Sequence, residues 1–211
     1  SYPPDSATSA TATPPSRPGP DDPPPFRLVN EAGRAPVLLL GDHAGRAIPS
    51  RLDGLGVGPA VLDRHIAYDI GVEPMIEAMA AALDAPAIVA GFSRLVIDPN
   101  RQLRDPTLIC AISDGVVIPR NRAVDAAERA WRIDRLYAPY HAAVAARLDR
   151  FAASGVAPAV LSVHSFTPAL RTGGTRPWQV GILWADDPRL PVPLMAALRE
   201  EGLVVGDNQP Y

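Results

Sequence analysis

The sequence has no lysine, a single cysteine, few aromatic residues and no long apolar run. One cysteine, Cys110, excludes an internal disulfide and fits a cytoplasmic protein. No apolar stretch approaches the roughly 20 residues that a membrane-spanning helix needs. All 20 basic residues are arginine, and 23 acidic residues leave a net charge of -3. This balance argues against nucleic acids and anionic membrane surfaces as partners, because both attract proteins with a basic excess.

Proline is abundant and concentrated near the start of the sequence. Residues 1–25 hold nine of the 25 prolines and show no apolar periodicity, so we expect a disordered or polyproline-like arm there. Residues 26–211 have the composition of one globular domain. Their last apolar run, 203–205, is followed by no closing helix, so we expect part of the C-terminal region of this domain to be missing.

Short apolar runs alternate with helical periodicity along the domain. Strands are predicted at residues 36–41, 87–90, 94–98, 159–163, 179–184 and 203–205. Helices are predicted at residues 69–83, 123–151 and 194–201, and Pro139 should kink or restart the second of them. This alternation predicts an α/β fold, with helices flanking a mostly parallel or mixed central sheet in a single domain.

Two of the four histidines directly follow predicted strands. His43 comes after the strand at 36–41, and His164 comes after the strand at 159–163. In an open parallel sheet, ligands bind at the carboxyl ends of the strands, so these side chains are expected to converge. Neutral imidazole is a good ligand for Zn²⁺. The sequence therefore makes this a candidate metal site, while histidines that cap elements or form hydrogen bonds within the core would give the same pattern.

A catalytic zinc ion needs a third protein ligand, and two residues are candidates. His65 and Asp69 are four residues apart and would share one face of a helix. We favour Asp69 as the ligand, because it lies at the start of a predicted helix, with His65 as its neighbour outside the metal's own ligands. His141 lies on the long predicted helix and is interpreted as a structural histidine.

A third group of polar residues surrounds the predicted strand at 94–98. Arg94 opens this strand, and Asn100 and Arg101 follow it in a turn. The planar guanidinium of arginine donates two parallel hydrogen bonds to a carboxylate, so the group suits an acidic substrate. Surface arginines paired with Asp98 or Asp105 would explain the same residues, and the sequence leaves both interpretations open.

These same residues give the sequence a resemblance to the N-formylglutamate amidohydrolase family from about residue 35 onward. The matching motifs are Gly-Asp-His43-Ala-Gly, His65-Ile-Ala-Tyr-Asp69-Ile-Gly, Ser-Arg94-Leu-Val-Ile-Asp-Pro-Asn100-Arg101, Pro139-Tyr140-His141 and Val-His164-Ser165. Each motif is short, but their order and spacing together are specific.

The resemblance implies a fold related to the zinc carboxypeptidases and one bound zinc ion. In that pattern His43 and His164 match the two zinc histidines, and Asn100 and Arg101 match the pair that holds a substrate carboxylate. A glutamate would stand three residues after the first histidine, where this sequence has Arg46, so the third ligand stays open. The family's general base, a late glutamate, would lie beyond residue 211.

The implied reaction is hydrolysis of a small acidic N-acyl amino acid, such as N-formylglutamate, to a carboxylate and a free amino acid. Zinc would polarise the amide carbonyl and activate water, and we expect His65 and Arg94 to contribute to catalysis. Two alternatives remain. One is a carboxypeptidase-like enzyme or another N-acyl amino acid deacylase. The other is a relative that binds an acidic molecule without turning it over.

Overall fold

A computed structural model gives the structure of the protein and describes residues 22–168 and 175–209. Most of the predicted proline-rich arm therefore lies outside the described residues. In the part of the chain that is described, no helix is both long and apolar enough to cross a bilayer.

Strands and helices alternate along the described chain. The strands are β1 (Phe26–Val29), β2 (Val37–Gly41), β3 (Ala87–Ala90), β4 (Ile112–Ser113), β5 (Val116–Val117), β6 (Ala159–Ser162), β7 (Val180–Ile182) and β8 (Val205–Asp207). The helices are α1 (Pro59–Leu62), α2 (Val72–Leu83), α3 (Ala126–Arg132), α4 (Ala138–Ala153) and α5 (Pro191–Glu200), with 3-10 turns at Ser50–Gly56 and Pro119–Ala123 and a π-helical turn at Ile133–Tyr137.

A four-stranded mixed sheet in the order β1-β3-β2-β6 forms the centre of the fold. Strands β2, β3 and β6 run parallel, and β1 pairs antiparallel with β3 at one edge. β4 and β5 form a small hairpin, and β7 and β8 form a separate parallel pair. The predicted α/β class and mixed central sheet are confirmed, while strand β1 was missed because its residues are only partly buried.

Both faces of the sheet are covered by helices. Successive side chains of a strand point to opposite faces, and the fully buried Leu38 and Leu39 of β2 accordingly enter different clusters. Leu38 packs with Tyr140 and Phe151 of α4. Leu39 packs with Ile76 of α2. A strand buried on both sides reads as a continuous apolar run, which explains why β2 was predictable.

The long helical segment predicted at 123–151 is present as α3, the π-helical turn and α4. Asp125 caps its start, since its side chain accepts a hydrogen bond from the backbone N–H of Glu128 at 2.7 Å. Pro139 is the second residue of α4, and α4 begins directly after the π-helical turn. In that turn the N–H of Ala138 donates to the carbonyl of Ile133. The wider turn accommodates the proline ring, so the segment continues without a break.

The predicted strand at 94–98 is wrong. This segment is a series of turns in which the N–H of Val96 donates to Ser93 and the N–H of Asp98 donates to Leu108. Leu95, Val96 and Ile97 are fully buried, and a buried apolar run has the composition of a strand whatever its backbone does. We refer to residues 93–101 as the arginine loop.

The predicted helix at 69–83 begins later than expected, at Val72. Gly71 precedes it with a φ of 83°, a left-handed conformation that glycine adopts without strain. Asp69 consequently lies in the connection before α2, where its side chain can face the end of the sheet.

Candidate active site

The carboxyl ends of β2 and β6 bring His43 and His164 together. These two strands are parallel neighbours in which Leu40 is paired with Ser162, so the residues that follow each strand leave the sheet side by side. The two imidazole rings lie 4.8 Å apart between centroids, with their planes at 67°. The two side chains meet at this edge because β2 and β6 are parallel, as the prediction of a shared site required.

Asp69 joins the two histidines from the connection before α2. Its backbone N–H donates to the carbonyl of His43 at 2.8 Å, which ties this connection to the end of β2. Its Oδ2 atom lies 3.0 Å from Nδ1 of His164 and 3.7 Å from Nδ1 of His43. One potential ligand atom from each of the three residues lies within 4.8 Å of the other two. We call His43, Asp69 and His164 the ligand triad.

Hydrogen bonding around His43 tests whether the ligand triad suits a metal ion. Its Nε2 atom lies 2.6 Å from Oδ1 of Asp98, and its Nδ1 atom is buried with no hydrogen-bond partner among the described residues. A neutral imidazole that donates from Nε2 carries its lone pair on Nδ1, the atom that faces Asp69. A buried polar atom without a partner is costly, and a bound cation would satisfy it. Two imidazoles and a carboxylate are also a donor set that zinc accepts.

Asp42 supports His164 from the other side. One of its carboxylate oxygens accepts a hydrogen bond from the hydroxyl of Tyr140, and the other accepts one from Ser162 at 2.7 Å. The second oxygen also lies 3.5 Å from Nε2 of His164. Burial favours the neutral acid, but hydrogen bonds with His164, Tyr140 and Ser162 outweigh it and lower the pKa of Asp42 to about 2.

The same contacts raise the proton affinity of His164. Burial by itself would lower its pKa, but hydrogen bonds with Asp42 and Asp69 outweigh burial and raise the pKa to about 9. Burial by itself would raise the pKa of Asp69, but the hydrogen bond from Nδ1 of His164 and the positive charge of the two nearby imidazoles outweigh burial and lower it. The site thus holds ionised carboxylates around its histidines.

The arginine loop places positive charge beside the ligand triad. Arg94 donates to Oδ2 of Asp98 at 2.9 Å and lies 3.7 Å from Oδ1 of Asp69, and its side chain is partly buried. Arg101 is more exposed, with its Nε atom 3.9 Å from Asp98. Asn100 donates its backbone N–H to Asp98 and has an exposed side chain. Asp98 therefore connects His43 to all three predicted substrate-binding residues.

His65 is not brought into this cluster. Its side chain is 43% exposed, and its Nε2 atom lies 3.6 Å from Oδ2 of Asp114. The side chain of Arg46 also points away and pairs with the exposed Asp63. His141 contacts the carbonyl of Pro99 at 3.0 Å through Nε2 and lies against neighbouring tyrosine rings.

Sequence reasoning overlooked three polar residues of the site. Asp42 directly precedes His43 at a strand end, and this adjacency could have identified it. Asp98 was considered only as a partner for surface arginines. Tyr140 was named only as part of the Pro139-Tyr140-His141 motif, because a sequence pattern cannot show that a buried hydroxyl has a carboxylate partner.

Comparisons with known proteins agree with the resemblance. The profile of the N-formylglutamate amidohydrolase family matches residues 35–211. The gene product Atu2144 from Agrobacterium tumefaciens has a similar crystal structure, with a TM-score of 0.84 and 34% identity over 88% of this chain and 73% of that chain. The crystal structure of N-formylglutamate amidohydrolase from Ralstonia eutropha JMP134 gives a TM-score of 0.71 and 27% identity, covering 89% of this chain and 77% of that chain. No curated protein matches the chain.

The family profile covers most of the chain, and the fold gathers three residues of the matching motifs, His43, Asp69 and His164, at one edge of the sheet. This chain belongs to the N-formylglutamate amidohydrolase family.

Proposed function

We propose that this protein is a zinc-dependent amidohydrolase that cleaves the amide bond of an N-formyl or another N-acyl amino acid. The observation that carries the proposal is the convergence of His43, Asp69 and His164 beside the positively charged arginine loop. Membership of an amidohydrolase family supports the reaction class. A cytoplasmic location, expected from the single cysteine, is part of the same proposal.

The ligand triad would hold the metal ion. Nδ1 of His43 is available because Nε2 is engaged by Asp98, and Asp69 supplies a carboxylate oxygen between the two rings. When bound, zinc polarises a carbonyl group and lowers the pKa of a bound water toward ~7. Side chains of the protein would bind the substrate and stabilise the charge that develops during the reaction.

The arginine loop would bind the substrate and stabilise developing charge. Arg101 and Asn100 are the exposed members, so they are suited to hold the carboxylate of an acidic N-acyl amino acid. Arg94 is closer to the ligand triad and is held by Asp98 and Asp69, so its charge would lie beside the carbonyl of a substrate bound there. A fixed cation there would stabilise the oxyanion formed when water attacks the carbonyl carbon.

The overall reaction adds one water across the amide bond. Hydroxyl is added to the acyl carbon and a proton to the leaving nitrogen, which gives formate, or another carboxylate, and a free amino acid such as glutamate. The position of Arg101 and Asn100 beside the ligand triad favours a substrate whose carboxylate lies a short distance from the scissile amide.

Formate release from N-formyl-L-glutamate tests the proposal. The purified protein is stripped with a chelator, and the assay is run before and after zinc is returned. We expect activity only in the zinc-loaded protein. N-acetyl-L-glutamate and a dipeptide ending in glutamate, assayed in parallel, distinguish a broader deacylase from a carboxypeptidase-like enzyme. Equal rates without zinc, or no hydrolysis of any N-acyl amino acid with zinc, would contradict the proposal.

Replacing Arg101 by glutamine tests the substrate-binding part. Losing a charged hydrogen bond of about 1.5–3 kcal/mol should lower kcat/KM by ~10–100-fold, mainly through KM. Arg34→Gln is the matched control, because the Arg34 side chain is 90% exposed. An unchanged kcat/KM in Arg101→Gln would remove Arg101 from the substrate site.

A further inference from the structure

We propose that Asp42 is a positioning residue that fixes the tautomer of His164, with the proton on Nε2 and the Nδ1 lone pair directed at the metal site. This inference rests on the proposed function, because it assigns a role toward the metal ion that the ligand triad would hold. It concerns a residue to which the sequence analysis assigned no role.

The hydroxyl of Ser162 lies between Asp42 and His164 and shows which hydrogen bond Nε2 of His164 makes. It has one proton, and it donates that proton to Oδ2 of Asp42 at 2.7 Å. The Oγ atom of Ser162 also lies 3.1 Å from Nε2 of His164. Because the hydroxyl proton is already used, Ser162 can only accept from Nε2, so Nε2 carries a proton. Nδ1 lies 3.0 Å from Oδ2 of Asp69, and its proton is the one that a bound cation would displace.

Asp42 has a hydroxyl partner at each carboxylate oxygen, Tyr140 at Oδ1 and Ser162 at Oδ2, and both hydroxyls donate to it. Asp42 is 7% exposed and Tyr140 is 1% exposed, so water has little access to replace either partner. Tyr140 belongs to α4, and this helix therefore holds the carboxylate in place.

His43 has the same arrangement, which is the second line of support. Each histidine of the ligand triad has an aspartate on its Nε2 side, Asp98 for His43 and Asp42 for His164. Each turns Nδ1 toward Oδ2 of Asp69. Carboxylates that accept from the outer nitrogen of a metal-bound histidine fix its tautomer and orientation, and losing one costs ~10–100-fold in metal affinity.

Replacing Asp42 by asparagine disrupts this arrangement with little change in shape. An amide offers one acceptor oxygen where the carboxylate offers two, so it cannot accept from both Tyr140 and Ser162. If its NH2 group faces Ser162, the hydroxyl turns to donate to Nε2 of His164. The imidazole proton then moves to Nδ1, which can no longer bind a metal ion.

Two measurements on the full chain test the inference without relying on activity. The first is the zinc dissociation constant by competition with a chromophoric chelator, for wild type, Asp42→Asn and the control Asp63→Asn, whose side chain is 69% exposed. We expect Kd to rise ~10–100-fold in Asp42→Asn and to stay unchanged in Asp63→Asn. A merely structural role would lower the Tm of the metal-free protein and leave Kd unchanged.

The second measurement is the ¹⁵N spectrum of the zinc-loaded wild type labelled at histidine. The chain has only four histidines, so His164→Gln assigns the His164 signals. We expect a protonated Nε2 and a metal-bound Nδ1. A protonated Nδ1 would overturn the inference even if Asp42→Asn did not fold. Zinc binding by wild type with the same Kd in Asp42→Asn would overturn the inference alone, whereas no zinc binding by wild type would overturn the proposed function and this inference together.

Discussion

Replacing the buried Arg132 by methionine tests how the arginine loop is held in place. Arg132 is 0% exposed and projects from α3 toward this loop. Its Nη1 atom donates to the carbonyl of Val96 at 2.6 Å and to the side-chain oxygen of Asn121 at 2.8 Å, and Nη2 donates to Glu128. Asn121 in turn donates to the carbonyl of Leu95 at 2.8 Å. One guanidinium thus supports two consecutive residues of the loop.

The cost of the substitution follows from the acceptors that it leaves behind. The carbonyl of Val96 and the amide oxygen of Asn121 would both be buried without a donor, at ~1–3 kcal/mol each. Loss of the unpartnered Nε atom of Arg132, itself a buried polar atom, recovers part of this. Breaking a buried charged network by removing one partner typically costs ~3–5 kcal/mol, so we expect the free energy of unfolding to fall by about 3 kcal/mol.

Urea unfolding of the purified protein at 25 °C, followed by circular dichroism, measures this loss. Arg150→Met is the control, because Arg150 is 65% exposed and pairs with Glu31 only at the surface, where such pairs contribute up to about 1 kcal/mol. A loss in Arg132→Met no larger than in Arg150→Met would refute the reasoning, since it would mean that the loop does not depend on this network.

Three further predictions concern the proposed metal site and the packing of α2 against the sheet beneath it. Asp98→Asn should weaken zinc binding by ~10–100-fold, measured by chelator competition, and an unchanged Kd would show that Asp98 does not orient its histidine. The pKa of His164 is raised to about 9, so zinc binding near pH 7 must release a proton from this histidine. The apparent zinc affinity should therefore rise with pH, by up to ~tenfold per pH unit, until about pH 9. A zinc affinity that does not change over this pH range would contradict the prediction. Ile76→Ala, at a fully buried position, should lower the free energy of unfolding in urea by ~2–5 kcal/mol. Met75→Ala is the control and should lower it by about 1 kcal/mol or less, because the side chain of Met75 is exposed. Equal losses in the two variants would mean that α2 does not pack as described.

The central strands and the long helix could be predicted because their apolar residues follow strand or helix patterns in the sequence. β2, β3 and β6 are short apolar runs, and α4 repeats its apolar residues at helical spacing. The backbone of the arginine loop was predicted wrongly from the same kind of apolar run, because Leu95, Val96 and Ile97 are buried without pairing in a sheet. Burial can be inferred from apolar composition, but the partner of each backbone N–H depends on residues that are distant in the chain.

In the site, too, residues placed by their neighbours in the sequence could be predicted, and contacts between distant residues could not. His43 and His164 were predictable because each follows its strand directly, and parallel pairing of the strands then brings them together. Spacing alone did not separate Asp69 from His65, and Asp69 was favoured because a helix was predicted to start there. The helix starts later, at Val72, and Asp69 lies in the connection that faces the end of the sheet. Tyr140 reaches Asp42 across 98 residues of sequence, a contact that no local pattern encodes.

The metal content of the purified protein tests the central claim most directly. Elemental analysis of zinc-supplied wild type, freed of excess metal, is compared with His43→Ala, His164→Ala and the control His65→Ala, in which the replaced side chain lies outside the ligand triad. We expect about one zinc ion per chain in wild type and in His65→Ala, because one set of three ligands forms one site, and we expect its loss in the other two variants. Zinc that persists in His43→Ala and His164→Ala, or its absence from wild type, would contradict a metal centre at the ends of β2 and β6.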